Sequence, residues 1–201
     1  VGITDTYKTI VSRGEGLYKE KGSKFISVAI HVSDEQDVKD QLVLIKKQFH
    51  DARHHCFAFR LGLEDGLFRS NDDGEPSGSA GRPILNQIYS YEMYHILVVV
   101  VRYFGGTKLG VSGLVNAYKT AAREALENAT MEIRALSDML RITCEYATVD
   151  RVLRMIKEEN LIIIKQKFEM NCVIDIEVNK SKTENLFNKI GAWHEIEATK
   201  L

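Results

Sequence analysis

Six consecutive apolar residues, Ile96 to Val101, lead directly into Arg102 and a glycine-rich stretch. A run this apolar and this short reads as a strand covered on both faces. The last third of the chain has a different rhythm. Leu140, Ile142, Cys144 and Tyr146 alternate with Arg141, Thr143 and Glu145, the period of a half-buried strand. Thr148 is placed to cap a helix carrying Val149, Val152, Leu153 and Ile156 on one face. Ile162, Ile164 and Phe168 share one strand face, and Cys172, Ile174, Ile176 and Val178 share the next. Ser181 with Glu184 has the capping-box spacing ahead of Leu186, Phe187 and Ile190, with Gly191 placed to end that helix in a left-handed conformation. A closing strand is expected around Trp193 to Thr199. The order is β-α-β-β-α-β, the ferredoxin-like arrangement.

The first two-thirds is less regular. Strands are predicted at Tyr7–Ser12, Lys24–Val32 and Cys56–Leu61. Ser33 and Gln36 suggest a capping box for a helix with Val38, Leu42, Ile45 and Phe49 at helical spacing. Its acidic first turn (Asp34, Glu35, Asp37) and basic last turn (Lys46, Lys47) match the helix dipole. A short helix near Pro83–Tyr89 precedes the Val-rich strand, and a long helix from about Gly113 to Ala129 follows it, with Ser112 as its cap. Strands interleaved with helices in this order predict an α+β fold built as an α/β sandwich. Two domains are expected, residues 1–135 and 136–201, with the boundary near Arg134–Asp138.

Composition changes this picture little. In 201 residues, 27 basic and 28 acidic side chains nearly cancel, which removes any whole-chain attraction to nucleic acid or membrane without excluding a local basic patch. Cys56, Cys144 and Cys172 are widely separated in a chain without a signal-peptide pattern, pointing to reduced thiols in a cytoplasmic protein. All three sit in apolar strand-like stretches, where cysteine serves as a small buried hydrophobe. The longest apolar run is too short to span a bilayer, so no membrane association is expected.

Three stretches carry candidate chemistry. In "RYFGGTKLGVSG", Gly105, Gly106, Gly110 and Gly113 permit unusual backbone angles before a helix N-terminus, where free N–H groups attract anions. Arg102 and Lys108 would add charge, and Tyr103 and Phe104 a stacking surface. The spacing from Gly105 to Gly110 imitates a Walker A loop, but Val111 stands where its lysine should be. Tight turn and anion cradle both remain open. "RSNDDGEPSGSAGRP" supplies Asp72, Asp73 and Glu75, as turn formers or as oxygen ligands for a divalent cation, and ends in Arg82, a candidate phosphate or carboxylate fork. In "DARHHCFAF", His54 and His55 fall on adjacent strand positions, point to opposite faces and cannot readily share one metal ion. Cys56 beside them imitates a Cys–His pair, yet strand neighbours diverge. No metal and no cofactor are expected.

"DARHHCFAF", "NDDGEPSGSAGRPIL" and "VVVVRYFGGTKLGVSGLVNAY", in that order, resemble the IMPACT family, in particular its bacterial YigZ branch. The resemblance implies an N-terminal domain like the second domain of ribosomal protein S-five. It also implies a C-terminal domain like the last domain of the translocating elongation factor. Eukaryotic members act in translational control during amino-acid starvation and carry an additional RWD domain, for which this chain leaves no room, so their partner is not carried across. The family brings no established catalytic residues. It implies a surface comprising Arg53, His54, His55, Asp73, Glu75, Arg82, Arg102, Tyr103, Phe104, Gly105, Gly106 and Lys108.

The expectation is a translation-linked binding protein that contacts RNA or the ribosome through a groove between loop 69–83 and loop 102–113. The alternatives are an enzyme acting on a small phosphorylated or anionic metabolite, with Asp73 or Glu75 as acid or base and His54 or His55 as proton carrier, or an adaptor with a protein partner in translational control.

Overall fold

A computed structural model describes residues 6–63, 66–169 and 171–201. Tyr7–Arg134 forms one unit, and Ala135–Leu201 together with Thr6 a second. The mixed α/β character expected from the sequence is present in both.

In the first unit the apolar run forms the middle strand of a five-stranded antiparallel sheet. Its strands are β2 (Gly14–Glu20), β3 (Ser23–His31), β4 (His54–Arg60), β5 (Phe68–Asn71) and β6 (Ile96–Tyr103), in the order β2-β3-β6-β4-β5. A separate pair joins β1 (Thr6–Ile10) to β7 (Met131–Ala135). Ile96 through Val101 are fully buried because both faces of β6 are covered. On one face Phe25, Cys56, Val98 and Val100 pack with residues of α2 (Gly81–Ser90) and α3 (Gly110–Glu127), chiefly Ile84, Ile88, Leu114 and Tyr118. On the other, Val28, Phe59, Val99 and Val101 pack with Val38 and Ile45 of α1 (Glu35–Gln48). Burial of one such aliphatic side chain stabilises by about 1.5–3 kcal/mol, so this doubly covered sheet supplies much of the unit's stability.

Local signals were displaced by a residue or more in several places. The N-cap of α1 is Asp34, not Ser33: its carboxylate accepts from the Asp37 N–H at 2.8 Å, and Asp37 reaches back to the Ser33 N–H at 3.1 Å. Helix α3 begins at Gly110 with Leu109 as an N-cap that makes no side-chain bond, which places Ser112 inside the helix. Strands β2, β5 and β7 add to those predicted. Every residue of β5 is exposed on the sheet edge, so it carries no alternation to read.

The second unit has the expected βαββαβ order: β8 (Ser137–Cys144), α4 (Val149–Glu158), β9 (Ile162–Phe168), β10 (Cys172–Asn179), α5 (Lys180–Gly191) and β11 (Ile196–Lys200). Its four strands run antiparallel in the order β11-β8-β10-β9. Leu140, Ile142, Ile174 and Ile176 bury against Val152, Ile156, Leu186 and Ile190. Asn179, not Ser181, occupies the N-cap of α5, because the chain passes from β10 into the helix without a loop. Gly191 is the last residue of α5 and is not left-handed; the following Ala192 is right-handed at φ −73°.

Candidate functional site

At one end of the five-stranded sheet, β4 begins and β6 ends, so the histidine pair and the glycine loop start side by side. His54 lies opposite Arg102 and His55 opposite Val101. The polar loop folds over this end and is fixed there by its three carboxylates.

Asp72 organises the loop. Its Oδ1 accepts from the N–H groups of Ala80 and Gly81 at 3.0 and 2.8 Å, and its Oδ2 from Gly78 at 2.8 Å. Burial alone would raise its pKa, but the N–H groups of Gly78, Gly81 and Ala80 outweigh it and hold the carboxyl below the usual range. Asp72 is thus the internal anion at the N-terminus of α2, with both of its oxygens engaged by backbone N–H groups. Asp73, left-handed at φ 41°, accepts the His55 backbone N–H at 2.7 Å on Oδ2, while its carbonyl meets His54 Nδ1 at 2.8 Å. A carbonyl only accepts, so Nδ1 of His54 carries the proton. His55 points to the other face, where Nε2 donates to the Phe49 carbonyl at 3.0 Å.

Glu75 reaches furthest inward. Its Oε1 accepts from Arg102 Nη1 at 2.6 Å and from the Tyr118 hydroxyl at 2.8 Å. The Cys56 thiol has two acceptors within reach, the Tyr118 hydroxyl oxygen at 3.3 Å and the Asp72 carbonyl at 3.0 Å. Burial pushes the Cys56 thiol up to about 12 and raises the Tyr118 phenol as well. Cys56 therefore stays protonated, and its thiol bonds Asp72 and Tyr118 and neither histidine, so the imitation of a Cys–His pair is not realised. Arg102 is committed inward: its guanidinium bonds Glu75 and stands 5.5 Å from the ring centroids of Phe25 and Phe104.

The glycine loop divides its labour. A Cβ on Gly105 would lie 1.9 Å from the Gly22 carbonyl carbon, so this glycine exists for the crossing of two backbones, and its N–H donates to Ser23 Oγ at 3.1 Å. Gly106 and Gly110 are left-handed, at φ 88° and 74°, and face open space. Lys108 between them is exposed, ahead of the uncapped N-terminus of α3. Tyr103 and Phe104 do not form one stacking surface. Tyr103 packs toward the α1 side and donates to Asp51 Oδ1 at 2.7 Å, whereas Phe104 is exposed beside Arg102.

Arg53 and Arg82 are exposed, the first just ahead of β4 and the second in the first turn of α2. Arg82 lines a cleft of about 410 Å³ between α2 and α3, together with Gly78 of the polar loop and Lys119. The structure thus brings these residues to one end of the sheet as two bonded groups, His54 and His55 on Asp73 and Arg102 with Tyr118 on Glu75, and leaves Arg53, Arg82 and Lys108 outside both. Tyr118, Lys119 and Gln87 belong to this region and were not singled out by the sequence. A polar residue in the apolar stripe Ile84, Leu85, Ile88 was the signal for Gln87.

The model of the Impact N-terminal domain matches residues 21–126, which contain all of these side chains. The IMPACT family member YvyE of Bacillus subtilis is 32% identical over 184 residues, covering 92% of this chain and 84% of its own length. The IMPACT family member YigZ of Escherichia coli is 37% identical over 128 residues, 63% of either chain. A crystal structure of a hypothetical protein superposes with a TM-score of 0.74 at 25% identity, covering 99% of this chain and 98% of that one. The three motif blocks, their joint packing and these likenesses agree: the chain belongs to the IMPACT family.

Proposed function

We propose that this protein is a cytoplasmic, translation-linked binding protein whose first unit contacts the phosphate backbone of RNA, free or in the ribosome, through the rim made by the polar loop and the glycine loop. The observation that carries this reading is the sorting of charge at that end of the sheet. The carboxylates of Asp72, Asp73 and Glu75 are each engaged, Asp72 and Asp73 by backbone N–H groups and Glu75 by Arg102 and Tyr118. Arg53, Arg82 and Lys108 remain exposed, and among the described residues none of them is engaged by an ion pair. A chain of net charge −1 can thereby present a local positive rim, and phosphate neutralisation by such side chains is what makes nucleic-acid binding strong at low salt and weak at high salt. The uncapped N-terminus of α3 adds N–H donors of the kind that suit a phosphate.

Family membership supports the translational setting, since the family's eukaryotic members act there. On the same reading the first unit is like the second domain of ribosomal protein S-five. The second unit is ferredoxin-like, consistent with its βαββαβ order and its strand order β11-β8-β10-β9. The test is a titration of the protein against single-stranded RNA and against ribosomal subunits across a range of salt. Binding that weakens steeply with salt supports the reading. Absence of binding to either at low salt withdraws it.

A further inference from the structure

Gln87 is a polar side chain in the wrong place for a purely structural role. It sits on the inward stripe of α2 with Ile84, Leu85 and Ile88 and is 6% exposed. Its side chain lines the cleft between α2 and α3, and no described residue hydrogen-bonds its amide. The amide is not among the fully buried side-chain groups without a partner, which among the described residues are on Thr9, Ser27 and Arg102, so its polar atoms reach the water of the cleft. An amide without a protein partner that opens onto the cleft is free to donate to and accept from a bound ligand.

The rest of the lining narrows the ligand's chemistry. Arg82 and Lys119 contribute two cations, neither engaged by an ion pair among the described residues. Pro83 and Val115 supply apolar wall, and Gly78, whose missing Cβ would meet nothing within 4 Å, leaves one side open. Ser90 is already occupied, donating to the Asn86 carbonyl at 2.8 Å. No aromatic ring lines the cleft, so nothing there stacks on a base. At about 410 Å³ the space falls within the ~300–1,000 Å³ of small-ligand sites. The complement is an anion, for Arg82 and Lys119, joined to a neutral group that both donates and accepts, for Gln87. A sugar hydroxyl next to a phosphate has that combination.

We propose that the α2–α3 cleft binds a phosphorylated pentose unit, with its phosphate between Arg82 and Lys119 and a sugar hydroxyl on the Gln87 amide. The base, where there is one, is not read. The inference rests on the RNA reading above only for its macromolecular source. The same unit can come from a free sugar phosphate or from one nucleotide of an RNA strand.

The test uses the full chain and isothermal titration with ribose 5-phosphate, inorganic phosphate, ribose and a single-stranded RNA, for wild type, Gln87→Leu and Lys119→Ala. Ribose 5-phosphate should bind more tightly than either phosphate or ribose. Gln87→Leu should weaken it about tenfold, roughly one lost hydrogen bond in a desolvated site, while its melting temperature stays equal to or above that of wild type. A merely structural glutamine would show the reverse, lower stability with unchanged binding, and that result overturns the inference. RNA binding that ignores Gln87→Leu, with no ribose 5-phosphate binding, overturns it while the RNA reading stands. Gln87-dependent ribose 5-phosphate binding without binding of the RNA strand supports the cleft as a site for a free sugar phosphate and removes RNA as its source.

Discussion

Arg102 Nη1 lies 2.6 Å from Glu75 Oε1, and the two side chains are only 7% and 4% exposed. This pair fastens the polar loop to the end of β6, and Tyr118 fastens the same carboxylate to α3. Burying two charges gains little net stability over an apolar pair, but removing one partner strands the other, at a cost of about 3–5 kcal/mol. The Arg102 Nε, already without a hydrogen-bond partner, makes the guanidinium still more dependent on Glu75. Glu75→Ala should therefore lower unfolding free energy by about that amount in urea titrations. Glu75→Ala combined with Arg102→Met should recover part of it; strictly additive losses would show that the two residues do not act as a pair.

Asp72 gives the loop a pH dependence whose sign is fixed. Its folded pKa is depressed by the three N–H groups it accepts from, so the stability it confers is present above the unfolded-state value of about 3.9 and is lost as pH falls through the folded value. Asp72→Asn should melt lower than wild type at neutral pH, by an amount equivalent to about 1–2 kcal/mol for a weakened cap. The gap between the two melting temperatures should narrow as the pH is taken below about 4. A gap that is constant from pH 7 to 3 would contradict the ionised form of Asp72 as the acceptor.

Much of this architecture was legible beforehand and the bonding within the site was not. The Val98–Val101 run and the Val38, Leu42, Ile45 stripe declare themselves because periodicity is local and burial repeats it. Strand β5 does not, since all four residues are exposed and only pairing with β4 makes them a strand. Capping patterns misled where chain entry differed from the motif's assumption, as at Ser181, which the direct passage from β10 places inside α5. The site residues were drawn from the right blocks, yet Glu75 and Arg102 are 27 positions apart and Glu75 and Tyr118 43, and no periodic signal links them. Opposite charges that read as two surface features turned out to be one buried bond.

The two halves of the glycine loop can be separated by substitution. An alanine Cβ at Gly105 would lie 1.9 Å from backbone of Gly22, so the turn joining β2 to β3 must move. Gly105→Ala should cost about 2 kcal/mol or more, in the manner of overpacking. Gly106→Ala meets open space and should cost only the left-handed backbone strain, about 1–2 kcal/mol. Thermal melts of the two variants check the order.

Cys56, Cys144 and Cys172 are all buried, and Cys56 is held protonated up to about 12. At pH 8 the native protein should therefore present no fast-reacting thiol to an aromatic disulfide reagent, and all three should react after denaturation. A stoichiometric fast phase assigned to Cys56 by mass spectrometry would reopen the question of a nucleophile in this cluster.

Lys108 tests whether the open side of the glycine loop meets phosphate. It is exposed, free of ion pairs among the described residues, and followed within two positions by the first residue of α3. A lysine that displaces one condensed counterion from single-stranded RNA contributes about 0.7 to the slope of log affinity against log salt. Lys108→Ala should reduce the slope by about that much and weaken binding equally for RNAs of different sequence, because a phosphate contact carries no base information. Lys46, in the last turn of α1 and so on the opposite face of the sheet from α2 and α3, is the control, and Lys46→Ala should leave the slope unchanged. Equal slope changes from the two lysines would mean that charge anywhere on the unit suffices, and the glycine loop would then be a backbone crossing and nothing more.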